Sequence, residues 1–173
     1  MNNVVETIIK RRSCKSFTDE PVSQEIIDQI VEAGLYAPSA MNNQPIMIVE
    51  VTNKEIVKKL SKLNAKYDPK KRVDPFYNCY ADLIVLANKD VFSYMYDGPL
   101  AMENMLIAAE ALGVGACWIH RAKEMFEDEE GRELLREYNI PDNYEGIGNC
   151  VIGIPKVKPE GLLERKCTVV KIK

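Results

Sequence analysis

The chain is poor in the residues that build metal centres and hydrolytic sites. It has one histidine, His120, so a multi-histidine metal centre is excluded. Its five cysteines, at 14, 79, 117, 150 and 167, form no C-x-x-C pair, so a structural zinc site has almost nothing to use. Their odd number and spacing also argue against a secreted disulfide framework and for reduced thiols. There is no G-x-x-x-x-G-K-[ST] phosphate loop and no G-x-S-x-G nucleophile elbow. Gly113-Val114-Gly115 opens a G-x-G, but Trp118 stands where the dinucleotide fingerprint needs glycine, and the pair follows a helical pattern rather than a strand. A basic excess is lacking too: 23 Lys and Arg against 26 Asp and Glu leave a net charge of −3. Partners such as nucleic acid or anionic membrane are therefore not expected. The longest mostly apolar stretch, residues 99–114, carries Glu103, Asn104 and Glu110 and is too short to span a bilayer. The start, MNNVVETIIKRRS, has no apolar signal-peptide core, so a cytoplasmic location is expected.

What remains is an ordinary globular composition, 46% apolar and 28% charged in 173 residues. A chain of this length can bury about 70% of its unfolded surface and needs no covalent staple. Helical periodicity marks residues 3–12 (Val4, Val5, Ile8, Ile9) and a second helix after Ser23, built on Ile27, Ile30, Val31, Gly34 and Leu35 and ending before Pro38. Thr52 and Glu55 form a capping-box signature for a third helix to Leu63. Strands are expected at 46–51, 83–87, 115–119 and 146–154, with a fifth β-rich run at 167–172. The helix expected at 99–112 is apolar on more than one face, which suits a central core helix or a subunit interface. Residues 127–138 read as a charged amphipathic helix on Leu134 and Leu135. This interleaving suggests one domain of α/β type, residues 1–173, whose tail from about 156 leaves the body.

Three clusters are chemically unusual. Arg11, Arg12, Ser13, Cys14, Lys15 and Ser16 combine cations and hydroxyls at a helix end; they suit a dianion, or simply complement the helix terminus. Residues 38–45, PSAMNNQP, form an uncharged loop of amide and hydroxyl groups, suited to the polar edge of a heterocycle or to a plain turn. Residues 115–121, GACWIHR, are an apolar strand that turns polar at its end, where ligands frequently bind.

In this order the clusters resemble the nitroreductase family of FMN-dependent oxidoreductases. The strings are Arg-Arg-Ser-Cys-Lys-Ser-Phe (11–17), Ala-Pro-Ser-Ala-Met-Asn-Asn-Gln-Pro (37–45), Ala-Leu-Gly-Val-Gly-Ala-Cys-Trp-Ile (111–119) and, more weakly, Gly-Ile-Gly-Asn-Cys-Val-Ile-Gly-Ile-Pro (146–155). The resemblance implies an α+β fold, a central mostly antiparallel sheet flanked by helices, in an intertwined homodimer with FMN at the interface. It implies that Arg11, Ser13 and Lys15, with Arg12 beside them, serve FMN from one subunit. Pro38, Ser39, Ala40, Asn42 and Gln44 would come from the other. Trp118, Ile119 and His120 would run along the flavin N5 edge, and Arg165 and Lys166 would hold the phosphate from the tail. Ala40 stands where many members have a second serine, and the mid-chain flavin contact is open among Asn64, Lys71 and Arg72.

The resemblance also implies ping-pong transfer of two electrons from NAD(P)H through flavin N5 to a nitroaromatic, quinone or similar small acceptor. A cation such as Lys15 would stabilise charge near flavin N1 and O2. No catalytic acid, base, nucleophile or metal is then required of the protein; His120 or Arg121 would line the pocket. Two readings compete: a flavin-binding sensor with little turnover, and a thiol enzyme using Cys14, with its cationic neighbours, or Cys117.

Overall fold

The computed structural model describes residues 3–161 and 164–172. In chain order the elements are α1 (Asn3–Lys10), α2 (Gln24–Leu35), β1 (Ile46–Val51), α3 (Lys54–Lys66), β2 (Ala81–Asn88), α4 (Tyr94–Ala111), β3 (Gly115–Ile119), α5 (Ala122–Glu127), α6 (Glu129–Glu137) and β4 (Tyr144–Gly153). The four strands form one sheet in the order β1-β2-β4-β3, and every neighbouring pair is antiparallel. The architecture is therefore α+β, as the resemblance implied. The interleaving of helices and strands makes no neighbouring parallel pair: β2 and β3, joined through α4, run the same way but lie on either side of β4, which is antiparallel to both.

The two sheet faces carry separate cores, since side chains alternate along each strand. Leu83 and Val85 of β2 turn to a layer with Ile27 and Ile30 of α2 and Met102, Met105 and Leu106 of α4. Ile84 and Leu86 turn the other way, onto Leu60 and Leu63 of α3, Met125 of α5 and Leu134 and Leu135 of α6. All seven residues Ala81–Ala87 are buried, so β2 is covered on both faces, and apart from Asp82 the run is apolar. Gly34 lets α2 cross α4 closely: a Cβ there would lie 2.7 Å from Met105 Cγ.

Several local expectations are corrected. α4 starts at Tyr94, so Pro99 lies in its second turn, where it forgoes one i→i−4 backbone bond. The N-cap of α3 is Asn53, whose side chain accepts from Glu55 N and Ile56 N, so Thr52 does not cap it. Ser23 is the α2 N-cap without a side-chain hydrogen bond. The charged helix expected at 127–138 is α6, capped by Asp128, which accepts from Glu130 N; α5, just before it, was not anticipated. Residues 167–172 form no strand, and Val169, Val170 and Ile172 are exposed, with no sheet edge beside them to pair with.

Candidate functional site

Segment 13–18 is held against the β3 edge of the sheet by alternating burial. Cys14 and Phe17 are 1% and 2% exposed and enter the core, while Ser13, Lys15 and Ser16 face outward. Cys14 N donates to Ala116 O at 2.9 Å, Thr18 N to Ile154 O at 2.8 Å, and Lys156 N to Ser16 O at 3.0 Å. This fastening puts Ser13 and Lys15 beside Cys117: the Ser13 hydroxyl and the Lys15 charge both act on its thiol.

Arg11 lies at the end of α1. Its Nε is buried without a hydrogen-bond partner, and Glu103 Oε1 of α4 stands 3.8 Å away. A buried guanidinium donor left open is costly unless an anion is to meet it. Arg12 does something else. It donates to Ile9 O, Arg11 O and Gly161 O, closing the α1 C-terminus and tying down the start of the tail. The dianion-binding potential of this cluster thus rests on Arg11, Ser13 and Lys15.

The second cluster is a strained loop. A 3-10 turn at Ala40–Asn42 contains Met41 at φ 54°, followed by Asn42 at 56° and Gln44 at 46°. Left-handed non-glycine residues cost on the order of 1–3 kcal/mol each unless the surroundings hold them. Here Gln44 N donates to Ser39 Oγ at 2.9 Å and Gln44 Nε2 to Asn42 Oδ1 at 2.9 Å. The Ser39 oxygen accepts in that bond, so its own proton stays available to a ligand. Asp97 of α4 accepts from Ala40 N at 3.1 Å. Pro38, Asn42 and Gln44 are exposed, Ser39 and Ala40 half-buried. A cavity of about 200 Å³ is lined by Pro38, Ser39, Gln44, Ile46 and Asp97, among others. It is smaller than the roughly 300–1,000 Å³ usual for sites of organic ligands.

At the β3 exit, Trp118 turns its ring into the layer beneath α4. A Cβ on Gly148 would lie 2.3 Å from Trp118 Nε1, so only glycine there admits the indole. Ile119 is buried on the other face and His120 is exposed. Arg121 adopts φ 81° and turns inward, donating to Asn64 Oδ1 at 2.7 Å and lying 3.7 Å from Asp68 Oδ1. It braces the turn after β3 against α3. Asn64 and Arg72 are consumed likewise. Asn64 Nδ2 donates to His120 O at 2.8 Å, and Arg72 forks onto both oxygens of Asp68 and donates to Tyr77 Oη. Reasoning from the sequence missed Ser61, Asp68, Asp82, Ser93, Asp97 and Asn149 as buried polar residues, because a single short polar side chain gives no periodic signal.

The thiol reading fails on electrostatics. Burial pushes the Cys14 thiol up, only partly offset by the Ser16 backbone, and burial pushes Cys117 up against Ser13 and Lys15. Desolvation outweighs the cationic neighbours, so neither is an activated thiolate. Among the described residues no group of three or more His, Cys, Asp or Glu is arranged to hold a metal ion, and no helix is long and apolar enough to cross a membrane.

The clusters do not converge within one chain. Arg11, Ser13, Lys15 and residues 118–120 lie along β3, while loop 38–45 feeds β1, the opposite edge of a four-stranded sheet, roughly 14 Å across at 4.8 Å per strand. Arg165 and Lys166 are exposed and make no ion pair among the described residues.

The structure thus presents an antiparallel α+β sheet with a cationic segment along one edge and an amide-rich loop at the other. Comparison makes the assignment. Residues 8–84 match the nitroreductase family. A protein of Archaeoglobus fulgidus, provisionally named NADH dehydrogenase/NAD(P)H nitroreductase, is 32% identical over 90% of this chain and 87% of its own. The FMN reductase [NAD(P)H] of Bacillus subtilis is 30% identical, over 90% of this chain and 67% of its own length. The crystal structure of a nitroreductase with bound FMN from Bacteroides fragilis superposes with a TM-score of 0.84 at 27% identity, covering 99% of this chain and all of that one. The chain belongs to the nitroreductase family.

Proposed function

We propose that this protein is an FMN-dependent NAD(P)H oxidoreductase that works as a homodimer and reduces a nitroaromatic, quinone or similar small acceptor. The observation that carries the reading is Arg11, whose buried Nε makes no hydrogen bond and faces only the Glu103 carboxylate at 3.8 Å, beside the outward Ser13 and Lys15. Those donors fit the doubly charged phosphate and polar rim of FMN: the guanidinium meets the anion, the hydroxyl adds a bond, and Lys15 offers a point charge. Bound FMN supplies hydride acceptance and donation, which explains why the chain needs no nucleophile or metal. From a partner subunit, Pro38, Ser39, Ala40, Asn42 and Gln44 would close the ring's polar edge, the Ser39 hydroxyl donating its free proton. The backbone at 118–120 would border the same site, and Arg165 and Lys166, on a tail reaching across from about residue 156, would add charge at the phosphate.

Two features support the two-subunit arrangement. The complementary clusters sit on opposite sheet edges, and α1 has no buried residue although Val4, Val5, Ile8 and Ile9 are apolar. An uncovered apolar helix calls for a partner. An absorption spectrum of the purified protein, followed anaerobically with NADH and NADPH, tests the reading. Flavin bands bleached by either nucleotide and recovered with an acceptor are expected. A flavin that neither nucleotide bleaches would turn the reading towards a sensor, and a protein that takes up no FMN would end it.

A further inference from the structure

We propose that Asp97 is a positioning residue: from the first turns of α4 it sets the conformation of loop 38–45 and thereby the affinity of the flavin site. The inference rests on the flavin reading above and adds to it a residue that touches no flavin. Asp97 is 3% exposed, and its two carboxyl oxygens have separate duties. Oδ1 accepts from Ala40 N at 3.1 Å, and Oδ2 accepts from Ser93 Oγ at 2.6 Å. Ser93 is the N-cap residue of α4, itself buried, and its hydroxyl makes no capping bond; it serves the carboxyl group instead. The arrangement is a relay of fixed parts: helix start, hydroxyl, carboxyl group, loop amide.

The loop needs an outside hold. Its other side-chain bonds, Gln44 N to Ser39 and Gln44 Nε2 to Asn42, join the loop to itself. They define its shape without anchoring it to the body. Pro45 O accepts from Asn88 N at 2.9 Å and fastens the far end to β2. Asp97 fastens the near end, at the residue before left-handed Met41 and Asn42. Released at Ala40, those residues would relax towards ordinary backbone angles, and Ser39, Ala40 and Asn42 would lose the spacing on which a ligand's polar edge depends. Asp97 thus acts on affinity through geometry, and its charge is incidental to that role.

The test is titration of the flavin-free protein with FMN, followed by quenching of flavin fluorescence. Asp97→Ala, Asp97→Asn and Ser93→Ala are compared with the parent, together with hydrogen exchange at residues 38–44 without FMN. Asp97→Ala is expected to weaken FMN about tenfold, the upper worth of one ordinary hydrogen bond, and to speed amide exchange at Ala40. Asp97→Asn is expected to stay within about threefold, because its amide oxygen still accepts from Ala40 and its nitrogen can donate to Ser93 Oγ. Ser93→Ala is expected to weaken FMN about two- to threefold, and it carries the test if Asp97→Ala does not fold. Parent-like affinity in both Asp97→Ala and Ser93→Ala overturns the inference and leaves the flavin reading intact. Equal weakening by Asp97→Asn and Asp97→Ala overturns it too, since charge would then be the cause. A parent protein that binds no FMN overturns the flavin reading and the affinity role with it.

Discussion

Arg121 and Asn64 hold each other across the interface between the β3 exit and α3. The guanidinium donates to Asn64 Oδ1 through Nε at 3.2 Å and Nη2 at 2.7 Å, and Asn64 returns a bond to the carbonyl of His120 at 2.8 Å. The pair closes a ring around the left-handed turn at Arg121, so the chain direction after β3 is set from a helix about 57 residues earlier in sequence. Asn64→Ala strands a half-buried guanidinium and the His120 carbonyl together. A loss of about 2–3 kcal/mol is expected, a fall of roughly 5–10 °C in melting temperature for a chain of this size. Calorimetry checks it, and a fall under about 2 °C would show that water replaces Asn64 freely.

Arg11 separates phosphate from ring. If its open Nε meets the phosphate dianion, Arg11→Ala should weaken FMN about 10- to 100-fold and leave riboflavin, which has no phosphate, nearly unchanged. Parallel titrations with the two flavins read the difference. Equal losses for both would place Arg11 against the ring.

Asp82 is the most costly group in the core. It lies on β2 opposite Val51 and Val151, fully buried, and neither carboxyl oxygen has a hydrogen-bond partner. Burial raises its pKa well above the ordinary carboxylate value. The folded protein therefore holds the proton that the unfolded chain releases near pH 4. Its contribution is fully present below that pH and is lost as pH rises towards the folded-state value. Asp82→Asn removes the titration, so the variant should gain on the parent as pH rises from about 4 towards the folded-state value. Urea unfolding at several pH values measures the gap; a gap independent of pH would mean that the carboxyl is ionised or solvated.

The uncovered helix α1 offers a test of assembly. Val5 and Ile9 are one turn apart, 45% and 39% exposed. Glu at both positions should split a dimer into monomers in sedimentation equilibrium and lower FMN affinity with it, because each site would draw on two chains. A dimer that survives both substitutions would put the interface elsewhere.

Much of the architecture was legible from periodicity. Strands 46–51 and 115–119 lie where alternation and β-branching put them, and the apolar surface of 99–112, suited to a core helix or a subunit interface, places Met102, Met105 and Leu106 of α4 in the core. The tail was misread because a β-rich run becomes a strand only beside a free edge, and residues 167–172 meet none in this chain. Thr52 lost the α3 cap to Asn53, since capping depends on which side chain reaches the second and third amides. Arg12 and Arg121 could not be told from ligand-facing cations, because a cation's partner is chosen by the fold: carbonyls of α1 and the tail for one, Asn64 and Asp68 for the other.

The sequence by itself determined which segments carry donors and cations for an anionic ring ligand, because local composition and spacing decide a segment's chemistry. Only the tertiary structure decided which of those groups are spent internally and which stay open. Strand order placed the cationic segment and the amide loop on opposite edges, and burial turned thiols and arginines from reactive candidates into packing and bracing. Neither partner choice nor desolvation is a property of a residue and its neighbours in sequence; both arise when distant segments meet.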